Sequence, residues 1–274
     1  MSLLAEFENH LTDTEKSSLT VEKYTRDVSR FLTFLGEKSL SKEITLAFKA
    51  HLMECCGVSS VNSILSSVNS YLKFLGREEC RVRTLKTQRC AFCPEEKELS
   101  RQEYQRLLEA AAGNSRLQLL MQAICSTGIR VSEHRFLTVE AARQGWATVR
   151  SKGKTRTILL PGKLCRALLK YAGKRGIRQG SIFVTRSGKP LDRSRIWAEM
   201  KKLSQAAGVD SRKVFPHNLR HLFARIYYAQ ERDIVRLADI LGHSSINTTR
   251  IYTVESGRVH RAQIEKMQLL YHIM

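Results

Sequence analysis

From Leu3 to Leu75 the apolar residues of this chain recur every three or four positions, and at Arg77 the recurrence stops. Apolar residues at that spacing line one face of an α-helix, and each such face needs a partner to cover it. Leu3 to Leu11 is a short amphipathic stretch. Val21, Tyr24, Val28, Phe31, Leu32 and Leu35 form a second stripe that stops at Gly36, and Ile44 to Glu54 a third. Val61, Ile64, Leu65, Val68, Tyr71, Leu72 and Leu75 form a fourth, closed by Gly76. Helices this short are marginal alone, so residues 1–80 are expected to pack as a small helical domain. The basic run that follows, with Arg81, Arg83, Lys86 and Arg89, has no apolar period and leads to Pro94-Glu95-Glu96-Lys97. Residues 81–97 read as an interdomain linker, either solvated or lying along a phosphate backbone.

A second domain, residues 98–274, opens on Ser100-Arg101-Gln102-Glu103, a capping box whose ends satisfy the first free amides of a helix. Helices are expected through Leu107 and from Arg116 to Ile124, with Gly128 breaking the pattern. Trp146–Val149 and Thr157–Leu160 are β-rich and flank the polar Ser151-Lys152-Gly153-Lys154, a hairpin signal. Ile182-Phe183-Val184 reads as another short strand. Helical patterns return at Asp192–Ala207, His217–Tyr228 and Asp233–Leu241. The fold class expected is mainly α with a small β-sheet in the C-terminal domain.

The 46 lysines and arginines against 26 acidic residues give the 274-residue chain a formal charge of +20. Such an excess calls for a polyanion, and nucleic acid is the first expectation, because Lys and Arg neutralise phosphates and release counterions. No apolar run approaches the ~18 residues of a membrane span, and Met1–Glu6 lack the basic region of a signal peptide. With seven unevenly spaced cysteines, the expected location is cytoplasmic and no membrane partner is expected. Cys90-Ala91-Phe92-Cys93 lacks a second ligand pair, so no metal site is expected there, and Cys55-Cys56 read as a helix end.

Six side chains carry the chemistry of transferring a phosphodiester. Arg130 and Arg220 are a pair of guanidiniums able to clamp the non-bridging oxygens of a phosphate as charge gathers on them. Tyr252 supplies a phenol that can hold a DNA end covalently and later release it. His217 and His243 can take the phenol proton or donate to phosphate oxygens. Lys152, in the hairpin turn, is the candidate acid for the departing 5′-oxygen, with Lys154 two residues on as the alternative. Glu133 is expected to orient neighbouring side chains rather than react.

These residues lie in four boxes: Gly128-Ile129-Arg130-Val131-Ser132-Glu133, His217-Asn218-Leu219-Arg220-His221, Leu241-Gly242-His243-Ser244 and Thr248-Thr249-Arg250-Ile251-Tyr252. Together they resemble the boxes of the tyrosine recombinases, or phage-integrase family, over roughly residues 98–274, and the helical first domain is similar to that family's core-binding domain. Leu222 and His134 stand where the family more often has a small hydroxyl residue and an apolar one. The resemblance implies a two-domain C-shaped clamp on duplex DNA and a site-specific recombinase of Xer type or from a mobile or invertible element. It implies a 3′-phosphotyrosyl intermediate on Tyr252, strand exchange between short inverted repeats by a homotetramer, possible accessory DNA-binding proteins, and no cofactor, metal or ATP. Two rivals stand beside it: a type IB topoisomerase, and a DNA-binding regulator with an inactive site. The stretch Glu255–Met274, with Val259, Ile264, Met267 and Leu270 on one face, is expected to pack on a neighbouring subunit or on its own domain.

Overall fold

The computed structural model describes residues 3–86, 98–151, 154–252 and 265–267. Lys152, the Cys90/Cys93 pair, the end of the linker from residue 87, and all but three residues of the C-terminal tail lie outside the described residues. The chain divides into two compact units, Met1–Arg89 and Cys90–Met274.

The first unit consists of α1 (Leu3–Asp13), α2 (Ser18–Leu35), α3 (Lys42–Cys55) and α4 (Val58–Phe74), followed by one short 3-10 turn, Glu78–Cys80. Each expected stripe became a helix, and the stripes meet: Phe31, Phe48, Leu52, Leu65 and Leu72 are fully buried together. Phe7, Val28 and Tyr71 close a second part of the core, with the Phe7 and Tyr71 rings edge-on at 5.1 Å. Ser17 and Ser41 cap α2 and α3 by accepting from Thr20 N and Ile44 N. Cys55 ends α3 and Cys56 caps it.

Residues 81–86, assigned above to the linker, run along the first unit. Asn69 donates to Val82 O at 2.8 Å and accepts from Val82 N at 3.0 Å. Two turns earlier on the same face of α4, Asn62 does the same for Leu85, at 2.9 and 2.7 Å. Two side-chain amides thus act as the partner strand that this extended segment lacks, and Val82 is buried in the core beside them.

The second unit contains α5 (Arg101–Ala110), α6 (Ser115–Thr127), α7 (Val139–Gln144), strands β1 (Trp146–Ser151) and β2 (Lys154–Leu159), and α8 (Gly162–Lys174). Then come α9 (Arg193–Ala206), α10 (Pro216–Glu231), α11 (Ile234–Leu241), α12 (Ile246–Thr249) and a 3-10 turn, Arg250–Tyr252. The capping box forms as expected, with Ser100 N donating to Glu103 at 2.7 Å and Glu103 N to Ser100 at 3.1 Å. β1 and β2 pair antiparallel, with Trp146 opposite Leu159 and Ser151 opposite Lys154. Among the described residues this hairpin is the whole sheet.

Ile182-Phe183-Val184 is therefore not a strand: it is flanked by single bridges, Thr138 to Ser181 and Val184 to Pro190. Its apolar run reflects burial instead, since Ile182 and Phe183 are fully buried in the core. Helix α8 has no counterpart in the sequence reading above, although Leu164, Leu168, Tyr171 and Ala172 are buried at helical spacing behind Pro161. The two departures noted in the boxes are core residues. Leu222 is buried among apolar neighbours, and His134 is buried with its Nδ1 2.5 Å from Val131 O and its ring edge-on to Phe183. Burial holds the His134 imidazole below its usual pKa.

Candidate active site

Helix α10 packs along α6, and this pairing positions the site. α6 ends at Gly128, whose φ of +66° is a left-handed conformation. A Cβ at Gly128 would lie 2.5 Å from the Phe223 ring of α10, so glycine is required there for space as well as for backbone. The close approach brings Gly128 O within reach of Arg220 Nη1. Arg220, 1% exposed, also donates through Nη2 to Leu241 O at 2.8 Å and to His243 Nε2 at 2.9 Å. Backbone carbonyls at the ends of two helices therefore hold the guanidinium. Burial, and then the charge of Arg130, push Arg220 down to about 10, which leaves it cationic near neutrality.

Arg130 begins a 3-10 turn, Val131–Phe136, and is tied to Glu133 by its own amide at 2.8 Å and by Nη1 at 3.0 Å. Its Nη2 reaches Gly242 O at 3.4 Å. The Glu133 side chain is 2% exposed and takes a second arginine, Arg156 of β2, at 2.6 Å. Glu133, expected to orient its neighbours, thus holds two arginines from within the 3-10 turn.

Because an arginine can only donate, the bond from Arg220 makes Nε2 of His243 an acceptor. The proton of a neutral ring then sits on Nδ1, which is 2.9 Å from Thr249 Oγ1. Burial, and then the charge of Arg220, push His243 down to about 4, so the ring is neutral. It stacks on Tyr252 at 5.8 Å and 17°. Tyr252 is 3% exposed and packs with Ala224, Leu237 and Leu241. His221 touches both sides of the cluster, its ring edge-on at 4.6 Å to His217 and at 4.6 Å to Tyr252. Burial first, then the charges of Arg220 and Arg130, lower the His217 pKa.

A cavity of about 260 Å³ opens beside the cluster, lined by Arg130, Ser132, Arg193, Trp197, His217 and Arg220 among others. Arg130, His217, Arg220, His243 and Tyr252, far apart in sequence, thus meet in one place; Lys152 lies outside the described residues. Arg156, His221, Arg193 and Trp197 belong to the same region, and the sequence reading assigned them no role. For Arg156 a signal existed: it is two residues from the buried Ile158 on β2 and therefore in phase with the covered face. Among the described residues no group of three or more His, Cys, Asp or Glu is placed to hold a metal ion, and no helix is long and apolar enough to cross a membrane.

A fold with this cluster at the junction of α6, α10 and α11 is that of the tyrosine recombinases. Residues 97–257 match the model of the phage integrase family, and residues 4–79 that of the phage integrase N-terminal SAM-like domain. The chain belongs to the phage integrase family. It is 30% identical to tyrosine recombinase XerA of Pyrococcus furiosus, over 99% of this chain and 96% of the relative. Tyrosine recombinase XerD of Staphylococcus saprophyticus is 28% identical over 93% of each chain. The fold is shared with a λ integrase dimer bound to a COC′ core site, with a TM-score of 0.77 at 18% identity over 93% of this chain and 95% of that one.

Proposed function

We propose that the protein is a site-specific DNA recombinase that cuts and rejoins strands through Tyr252. The observation that carries this reading is the meeting of the two box arginines with His243 against the Tyr252 ring: Arg220 donates to His243 at 2.9 Å, and His243 stacks on the phenol. In the cavity that Arg130 and Arg220 line, a phosphodiester would present its non-bridging oxygens to two guanidiniums. Tyr252 Oη attacks phosphorus and gives its proton to His217, which its lowered pKa keeps neutral and able to accept. The 5′-oxygen leaves with a proton from Lys152, and the 3′-phosphate remains on the tyrosine. The 5′-hydroxyl of a partner strand reverses the step. One ester replaces another each time, so the exchange consumes no ATP.

His243 acts as a donor to the phosphate in this scheme, which requires its Nε2 to give up the bond it accepts from Arg220. An arriving phosphate anion supplies the cause: it attracts the arginine's free N–H edge and favours the protonated imidazole. Both units bind duplex DNA, and four protomers exchange strands between two short inverted-repeat sites in the cytoplasm. The +20 charge supports a DNA partner, and the fold is shared with a λ integrase tetramer bound to a Holliday junction. The Xer names of the relatives favour a simple recombinase of that type, acting by integration, excision or inversion according to site orientation.

The test uses supercoiled plasmids with one or two copies of the site that the protein selects from a random-sequence pool. Recombinant circles that require both copies are expected. Relaxation of every plasmid without exchange would mark a topoisomerase instead.

A further inference from the structure

Arg156 is the charged group of this region that the chemistry above leaves unused. It lies on β2, outside the four boxes and outside the lining of the cavity. Its side chain is 15% exposed. Nη2 donates to Glu133 Oε2 at 2.6 Å, and Nη1 donates to Ile240 O. Its stem presses on the turn before His243: a Cβ on Gly242, where φ is +64°, would lie 2.3 Å from Arg156 Cδ. Glu133 has no oxygen to spare, since Oε1 takes Arg130 Nη1 at 3.0 Å and Oε2 takes Arg130 N at 2.8 Å together with Arg156. The Arg130 side chain, 38% exposed, is the outer member of this row.

We propose that Arg156 is a positioning residue for strand cleavage. Through Glu133 it sets the guanidinium of Arg130, and through Ile240 and Gly242 it sets the turn that carries His243. The electrostatic reason is the order of charges, positive, negative, positive. A buried carboxylate facing Arg130 alone would neutralise it and draw it into a two-pronged pair away from the cavity. With Arg156 supplying the counter-charge from behind, Arg130 keeps positive charge for a phosphate. The same side chain fixes β2 to the row.

This proposal rests on the recombinase reading. Its test is single-turnover cleavage of a nicked suicide duplex carrying the selected site, with duplex affinity measured in parallel. Arg156→Ala is expected to slow cleavage about 100-fold, as small misplacements of reacting groups do, while affinity changes less than about threefold. Arg156→Lys is expected to recover about tenfold, since an ammonium can meet Glu133 but lacks the fork that also meets Ile240 O. In a Glu133→Gln background the loss on Arg156→Ala is expected to shrink to less than about threefold, the mark of two residues acting in series. Cleavage by Arg156→Ala at the parent rate, an undiminished loss in the Glu133→Gln background, or no recovery with lysine would each overturn the proposal. Should the alanine variant not fold, the lysine variant in the two Glu133 backgrounds decides between the same outcomes. Failure of the recombinase reading looks different, because the parent protein itself would then form no covalent complex.

Discussion

The two units bury charge in opposite ways. In the first, Asp27 on α2 is 7% exposed and its carboxylate is met by Lys23 at 2.6 Å and by Ser67 of α4 at 2.8 Å. Lys23 in turn reaches Ser67 and Ser63 O, so the network closes on itself and ties two helices together. In the second unit one buried carboxylate serves two of three arginines: Glu133 takes Arg130 and Arg156, while Arg220 relies on Gly128 O, Leu241 O and His243, and Ile240 O and Gly242 O take further bonds from Arg156 and Arg130. The Nε atoms of Arg156 and Arg220 are buried without a hydrogen-bond partner. A closed network of matched charge has a structural purpose. An excess of positive charge fixed on backbone dipoles instead fits the anion of the proposed reaction, and it is maintained against the cost of desolvation.

The largest effect is expected from Arg220→Ala, which on the proposed function removes a clamp on the phosphate. Cleavage of a suicide duplex should fall by roughly 10³-fold, with a much smaller change in duplex affinity. If cleavage and stability fell together and affinity with them, Arg220 would be no more than the second unit's counterpart of Asp27. Asp27→Ala sharpens the comparison from the other side. It strands Lys23 and Ser67, so denaturant unfolding of the first unit should lose about 2 kcal/mol, while the cleavage rate of bound, folded protein stays unchanged.

The smallest effect expected is on pH dependence. Burial is the main cause that pushes His243 down to about 4 and His221 down to about 3. Both rings are thus neutral in the folded chain where the ordinary imidazole of an unfolded chain begins to take protons, near pH ~6.5. Their contribution to stability is complete above that value and is lost as the pH falls from ~6.5 towards the two lowered values. The melting temperature of the second unit should drop by roughly 5 °C between pH 7 and pH 5.5, and by less in a His221→Phe, His243→Asn double variant. An equal decline in that variant would assign the proton uptake elsewhere.

Where periodicity or box spacing carries the information, the sequence is legible: the four stripes of the first unit, the Ser100 capping box, the hairpin and the candidate site residues are all of that kind. Those site residues are chemically unusual in their setting, so a tyrosine nine residues beyond His243 stands out without any knowledge of the fold. Contacts between a side chain and a distant backbone leave no such trace. Asn62 and Asn69 look like two polar residues on a helix, yet they hold Val82 and Leu85 and carry the first unit past residue 80. Arg156 shows in the sequence only its phase with Ile158, and its partners Glu133 and Ile240 O emerge from the fold alone. Ile182-Phe183-Val184 misleads for a related reason: burial alone makes a run apolar, and only a neighbouring strand makes it a strand.

In the proposed function the Arg130, Arg220 and His243 cluster serves the phenol of Tyr252. Incubation with a nicked suicide duplex, followed by denaturing electrophoresis, tests it most directly. A protein–DNA adduct that resists denaturation, has its tyrosyl link mapped to Tyr252 and vanishes in Tyr252→Phe while duplex binding persists is the predicted result. An adduct that survives in Tyr252→Phe, or cleaved DNA with no protein attached, would contradict it.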